Sequence, residues 1–421
     1  MADIRPIRAW RYASDLNMDD LTSPLFDVVS DRQRKALYQH PFNSIHLSVP
    51  RGTATQAGAL LAQWKKEGVL VQDKLPAIYV YYQYFALAGQ SARFCRKGFV
   101  AHIRVHEWEE EVIMRHENTI PQAVNDRTAL LEHTQLHSSP THGLYTDTSF
   151  ALERYMDEAI QSPIYETEDY QGVRDVLAVI HDAHVIRQFV SVLADKKIIL
   201  ADGHHRYESS IIYRQQRKQA NPRHTGEEGY NFHLMYLTNT EAGDLRILPT
   251  HRLIHGIEGF SEEAVLKKLE NDFIVKPVDE PDAVYDIIQG KKWAFGLLFR
   301  DNAYKVRLKP ERLATLSWPF PDVVKQLDLT VMHYFVIEKA LGIPGKAQRS
   351  SPHISFDRSF TDCLARVWKG EAQLALITQE VSIDEVKEVC ASGYTMPQKS
   401  TYFYPKVIAG FLFSSIADHE W

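Results

Sequence analysis

The sequence predicts an α+β protein with mixed sheets, built as two domains. Apolar, β-branched stretches alternate with helix-patterned ones in both halves, and helix-capping residues stand where the pattern changes. The chain of 421 residues is also too long for one module, since about 150 residues per domain gives roughly 2.8. With 44% hydrophobic and 24% charged residues it has the balance of a chain that buries a core.

Taken in order, a short strand and the loop LTSPLFDVVS lead to a helix whose Ser30 and Gln33 have capping-box spacing, and Pro41 closes it. A strand is expected over Asn43 to Val49, then a helix from Ala54 to Glu67 with Gly68 at its C-terminal side. The aromatic, β-branched run IYVYYQYF reads as a strand. After the charged stretch around HEWEEEVIMRHENTIP, helical pattern resumes over Asn125 to Glu132. KKIILAD is a strand followed at once by the helix GHHRYESSIIYRQQRKQ, which Asn221 and Pro222 terminate. NPRHTGEEG reads as a linker, so the domains are expected at 1–225 and 226–421. In the second, WAFGLLF and YKVRL flank RDNA as a hairpin, and Ser382 and Glu385 open a capped helix after QLALITQ.

Composition excludes several classes of function. Lys plus Arg total 48 against 54 Asp plus Glu, a net charge of -6, so no nucleic-acid partner is expected, although a local basic pocket is allowed. Cys95, Cys363 and Cys390 are odd in number and far apart, which suits neither a disulfide framework nor a cysteine zinc site, and a reducing cytoplasm is the expected compartment. Charges at Asp3, Arg5, Arg8 and Arg11 interrupt any secretory signal. The longest apolar runs, Ile78 to Ala88 and Val407 to Ala417, fall short of the ~20 residues of a spanning helix, so no membrane partner is expected and both should lie in the core. No Walker A, GxGxxG or GxSxG motif occurs.

The strongest chemical signal is ADGHHRYE, which places Asp202, Gly203, His204, His205 and Arg206 in a strand-to-helix turn. Backbone N–H groups at a helix start favour an anion, and glycine lets the backbone approach it closely. Arg206 can add a bidentate phosphate contact, either histidine can donate to phosphate or act as general acid or base, and Asp202 can hold magnesium or cap the helix. Zinc is disfavoured, because adjacent His204 and His205 diverge where an HExxH pair would converge. In MRHENTIP, Glu117 beside Arg115 and His116 is a candidate base, with a solvated helix end as the plainer reading. His102 and His106 are expected at the surface. Weaker candidates for substrate contact are Thr250, His251 and Arg252 in ILPTHRL, Lys399 and Ser400 in MPQKSTYFYPK, and Asp27 in the first loop. Lys399 and Lys406 read equally well as surface stems covering aromatic rings.

Together IRPIRAWRY, PLFDVVS, RHENT, ILADGHHRYESSIIYR, ILPTHRL and MPQKSTYFYPK resemble the successive motifs of the domain-of-unknown-function 1015 family of bacteria and archaea. Its DGHHR element also resembles the phosphate-binding turn of ParB-like proteins, a superfamily that includes nucleotide-dependent kinases acting on free L-serine. The resemblance implies a ParB-like nucleotide-binding first half, with Asp202 to Arg206 at the matching turn and a carboxylate elsewhere as base, for which Glu117 is chosen and Asp27 held in reserve. QLHSSPTHGLYTDTS departs from the more apolar strand of many members, and the second α+β domain has no role by this analogy.

The leading expectation is therefore a magnesium-dependent phosphotransferase that moves a phosphate from ATP or ADP to a small hydroxylated metabolite such as free L-serine. Asp202, His205, His116 and Glu117 are its candidate catalytic residues, and Gly203, His204, Arg206 and Arg115 its candidate phosphate ligands. The alternatives are a nucleotide-binding switch without turnover and a phosphate-ester hydrolase. A homodimer is compatible with the sequence.

Overall fold

The computed structural model describes residues 1–26, 28–87 and 90–421. The chain is a mixed α+β protein of 34% helix and 25% strand, and it divides into two compact units, Met1–Leu245 with Pro405–Trp421, and Arg246–Tyr404. The polar segment near residue 225, where the sequence suggests a boundary, lies within the first unit. The division falls instead at Leu245, and the chain returns to the first unit for its last stretch.

The first unit is built on a nine-stranded sheet. Its strands are β1 (Ile4–Arg5), β2 (Ile78–Ala86), β3 (Arg93–Arg104), β4 (Ile113–Arg115), β5 (Thr141–Tyr145), β6 (Tyr165–Glu168), β7 (Arg174–Ile180), β8 (Ile198–Asp202) and β9 (Phe232–Asn239). The order is β4-β8-β5-β9-β3-β2-β7-β6, with β1 also paired to β3. The β4–β8 and β5–β9 pairs are parallel, whereas β3, β2, β7 and β6 pair antiparallel in that order, as two hairpins joined through β2 and β7. Strand β2 shows why the sheet needs cover on both faces: Ile78, Val80 and Tyr82 pack into one apolar cluster, Tyr79 and Tyr81 into the other. Val407, Ile408, Phe411, Leu412 and Phe413 from the returning segment join that second cluster, as their apolar run predicts.

The second unit has an antiparallel sheet of six strands: β10 (His251–Ile254), β11 (Phe273–Val278), β12 (Ala294–Leu298), β13 (Ala303–Leu308), β14 (Ile354–Asp357) and β15 (Leu374–Ile377), ordered β11-β13-β12-β15-β10-β14. β12 and β13 are the hairpin around RDNA.

Local signals are realised where they are self-contained. Ser30 with Gln33 and Ser382 with Glu385 both form reciprocal capping boxes. The expected strand over Asn43 to Val49 is instead a one-turn helix, Ile45–Ser48. Asn43 causes the change: its Oδ1 accepts from the Ile45 N–H at 2.9 Å while its Nδ2 donates to the carbonyls of Asp20 and Thr22.

Candidate functional site

Strands β4 and β8 run parallel, with Ile113 opposite Ile198 and Arg115 opposite Leu200. Parallel strands end at the same side of a sheet, so the segments that leave them, residues 116–120 and 202–206, emerge side by side. Hydrogen bonds then tie the two together. The Leu200 carbonyl can only accept, so the Nδ1 of His116 at 2.9 Å carries the proton. The Thr119 hydroxyl donates to Glu208 Oε2 at 2.5 Å, and the Ile120 N–H donates to His205 Nε2 at 3.0 Å. Half-buried Glu117 stands between these anchors.

The turn itself needs its glycine. Gly203 is the N-cap of the helix His204–Ala220 and makes no side-chain cap, with φ of 91° in the left-handed region. A Cβ there would meet Thr141 Cγ2 at 2.6 Å and Arg206 Nη2 at 2.9 Å. His204, only 6% exposed, has an Nε2 with no hydrogen-bond partner among the described residues. Its ring meets that of His116 edge-on at 4.8 Å. Burial drives both rings towards the neutral form, His116 to about 4.

Two cations converge on Asp202. Lys406 of the returning segment reaches Oδ1, and Arg206 Nη2 lies 3.2 Å from Oδ2. Burial alone would raise this carboxyl, but the charges of Lys406 and Arg206 outweigh it and hold Asp202 well below the usual carboxylate range. Arg206 also donates through Nη1 to Ser139 Oγ at 2.9 Å and the Pro140 carbonyl at 2.8 Å. It therefore clamps the 139–140 loop to the helix start. With each Asp202 oxygen taken by a cationic donor, this carboxylate does not fit a resident magnesium ligand. Among the described residues no group of three His, Cys, Asp or Glu side chains could hold a metal.

Other sequence candidates lie elsewhere. Arg115 places its guanidinium over the Trp108 ring at 5.0 Å. His102 is not a surface residue: it is 2% exposed, paired with Ser414 and stacked on Trp421 at 4.9 Å. His106 is largely covered and pairs with Glu110 at 2.7 Å. Asp27 lies outside the described residues. Thr250, His251, Arg252, Lys399 and Ser400 belong to the second unit and come together there. Arg252, 0% exposed, donates to the carbonyls of Thr250, Gln398 and Lys399 and to His333 Nε2. His251 Nδ1 accepts from the Thr378 N–H at 3.3 Å, and Ser400 Oγ donates to the Pro397 carbonyl at 2.5 Å. This is a buried clamp on a chain segment, with Lys399 exposed beside it. Lys406, which the sequence leaves open between an anion contact and a surface stem, is the cation of that motif that reaches Asp202. The motif MPQKSTYFYPK carries no signal of where the returning chain docks.

A mixed α+β fold with a glycine-capped, cation-lined turn at a helix start defines the class of the molecule. The chain belongs to the DUF1015 family, described as a protein of unknown function, whose pattern matches residues 4–330. That match ends before the Met396 to Lys406 motif. No curated protein matches the chain. Solved structures similar to the chain include a conserved hypothetical protein from Pyrococcus furiosus (12% identity, 73% of this chain and 92% of that chain, TM-score 0.36). A free serine kinase variant in complex with AMP is similar at 11% identity over 72% of this chain and 87% of that chain, TM-score 0.37. SbnI with a C-terminal truncation from Staphylococcus aureus is similar at 12% identity over 74% and 85%, TM-score 0.34.

Proposed function

We propose that the chain is a phosphotransferase in which the Asp202–Arg206 turn holds the phosphates of ATP or ADP and Glu117 activates a small hydroxylated acceptor, with free L-serine the first to test. The observation that carries the reading is the parallel β4–β8 pair, after which Glu117 and the glycine-capped helix start leave the sheet at the same end. A phosphate fits there because the helix dipole and two cations favour negative charge, and His204 keeps a buried ring nitrogen without a partner among the described residues.

In the proposed step, Glu117 takes the proton of the acceptor hydroxyl while the hydroxyl oxygen bonds to the terminal phosphorus. The bond from that phosphorus to its bridging oxygen breaks, and the nucleotide leaves one phosphate shorter. Arg206 and Lys406 neutralise charge on the moving phosphoryl group, so catalysis is positioning and electrostatics. His205 and His116 position: each has a ring nitrogen fixed by a backbone group, Ile120 N–H and Leu200 C=O. Magnesium is part of the substrate, brought on the nucleotide.

The test is incubation of the full chain with magnesium, ATP or ADP and a pool of small hydroxylated metabolites including L-serine, read by mass spectrometry for a phosphorylated product. Product formation should fall ~10²–10⁴-fold in Glu117→Gln. Undiminished product in that variant would move the base role to Asp27. Heat protection by nucleotide with no product from any acceptor would favour the binding switch, and phosphate release without acceptor the hydrolase.

A further inference from the structure

Lys406 does not arrive at Asp202 by chance of a long side chain. Its backbone is held from beneath by side chains of the central strands β2 and β3. Gln83 Nε2 donates to the Lys406 carbonyl at 3.0 Å, and Arg96 donates to the carbonyl of the preceding Pro405. Gln83 and Arg96 are 0% and 2% exposed, and Arg96 also donates to Gln83 Oε1. Behind them Asp175, 0% exposed, accepts from Gln83 Nε2 at 2.8 Å and from the Tyr81 hydroxyl at 2.6 Å. The same Tyr81 oxygen accepts from the Ile408 N–H at 3.4 Å, two residues beyond Lys406. Three bonds from one buried cluster thus fix residues 405–408.

Such a cluster is costly. A guanidinium and a carboxyl leave water, and Arg96 Nε and Nη1 and Asp175 Oδ2 have no hydrogen-bond partner among the described residues. Apolar side chains would bury these positions at lower cost, so stability alone does not account for it. What the cluster does achieve is a fixed starting point for the Lys406 stem, whose ammonium then lies at the start of the helix His204–Ala220, 11% exposed, against Asp202. The returning segment that carries it lies beyond residues 4–330, where the family pattern ends.

We propose that Lys406 is a phosphate-contacting residue of the nucleotide site and that Gln83, Arg96 and Asp175 position it through the Pro405 and Lys406 carbonyls. The inference rests on the reading of the turn as a nucleotide-phosphate site. In that site Lys406 exchanges its contact between Asp202 and a phosphate oxygen, an exchange that a flexible four-carbon stem permits.

The full chain is titrated with ADP and with adenosine by calorimetry, and the ratio of the two affinities reports the phosphate contacts alone. Lys406→Met should narrow that ratio about tenfold or more, as loss of a charge-assisted contact does, while adenosine affinity stays put and Lys406→Arg recovers part of the loss. Arg96→Met should narrow it less, and should add nothing in a Lys406→Met background, because its effect runs through Lys406. If Arg96→Met does not fold, Gln83→Leu replaces it in the same cycle. An unchanged ratio in Lys406→Met, with ADP still favoured, overturns the role of Lys406 and leaves the turn's phosphate reading standing. Equal losses from Arg96→Met with and without Lys406 overturn the positioning role. A wild-type chain that does not prefer ADP over adenosine removes the phosphate reading and Lys406 with it.

Discussion

The turn Asp202–Arg206 and the clamp around Thr250–Arg252 use nearly the same side chains, His, Arg and hydroxyls beside a lysine, yet they are opposite kinds of structure. In the first unit Arg206 and Lys406 meet a carboxylate at the start of a seventeen-residue helix. In the second, Arg252 is sealed at 0% exposure and its donors close on three main-chain carbonyls and a neutral histidine. The difference lies in what the arginine faces. A guanidinium whose partners are carbonyls satisfies a chain fold, whereas cations gathered on one acid at a helix start make a place where an anion is welcome.

If that contrast is right, the two arginines fail in different ways. Arg252→Met should destabilise the second unit by ~3–5 kcal/mol, since it leaves the carbonyls of Thr250, Gln398 and Lys399 and the buried His333 without this donor, and chemical denaturation will show it. A stability loss below about 1 kcal/mol would mean that Arg252 is not a structural clamp.

Acid should next weaken both units through their buried histidines. Burial lowers His116 and His137 of the first unit from 6.5 to about 4, and His251 and His333 of the second from 6.5 to about 3. The unfolded chain binds these protons more readily, so the stability they give is present above about pH 6.5 and is lost as pH falls, through about 4 in the first unit and about 3 in the second. Each ring contributes of the order of 3–5 kcal/mol at most. Asp175 works with the opposite sign: burial raises it from 3.8 to about 8, so its contribution is full below 3.8 and is lost as pH rises through about 8. His116→Gln, which keeps a donor for the Leu200 carbonyl, should flatten the acid limb of urea unfolding measured between pH 4 and 7. An unaltered limb would show that His116 is not held neutral.

Gly203→Ala comes after these, at ~1–3 kcal/mol, from a left-handed φ and a Cβ 2.6 Å from Thr141. No glycine of the clamp motifs is asked to do the same, because neither THR nor QKST contains one. The variant should also lose the ADP preference, because the widened turn no longer lets a phosphate approach the backbone. A variant of native stability and native ADP affinity would break the view of this turn as an anion cradle.

How far the sequence reaches is visible in the same residues. The strand–glycine–helix order of KKIILADGHHRYE and both capping boxes are legible because their determinants lie within a few residues of each other. Asn43 to Val49 is misread because a side-chain bond from Asn43, not the apolar alternation, decides the conformation there. His102 is misread because its cover, Ser414 and Trp421, comes from the far end of the chain. Lys406 escapes for the same reason. Its partner Asp202 and its anchors Gln83 and Arg96 are distant in sequence, and only the return of the chain to the first unit brings them together.

The smallest effect belongs to Lys399, and it is the sharpest control. Lys399 and Lys406 stand in one motif, MPQKSTYFYPK, with equal claims from sequence to grip an anion. Lys399 is exposed, with its backbone at φ 58°, and what Arg252 uses is its carbonyl rather than its ammonium. Removing that ammonium by Lys399→Ala keeps the carbonyl and should change stability by less than about 0.5 kcal/mol, leaving the ratio of ADP to adenosine affinity where it was. Lys399→Gly should if anything raise stability, by a few tenths to ~1 kcal/mol, because glycine accepts the left-handed backbone without a Cβ clash. If Lys399→Ala instead lowered the ADP preference as far as Lys406→Met does, burial and backbone anchoring would no longer distinguish the two lysines, and the motif would have to act as a whole.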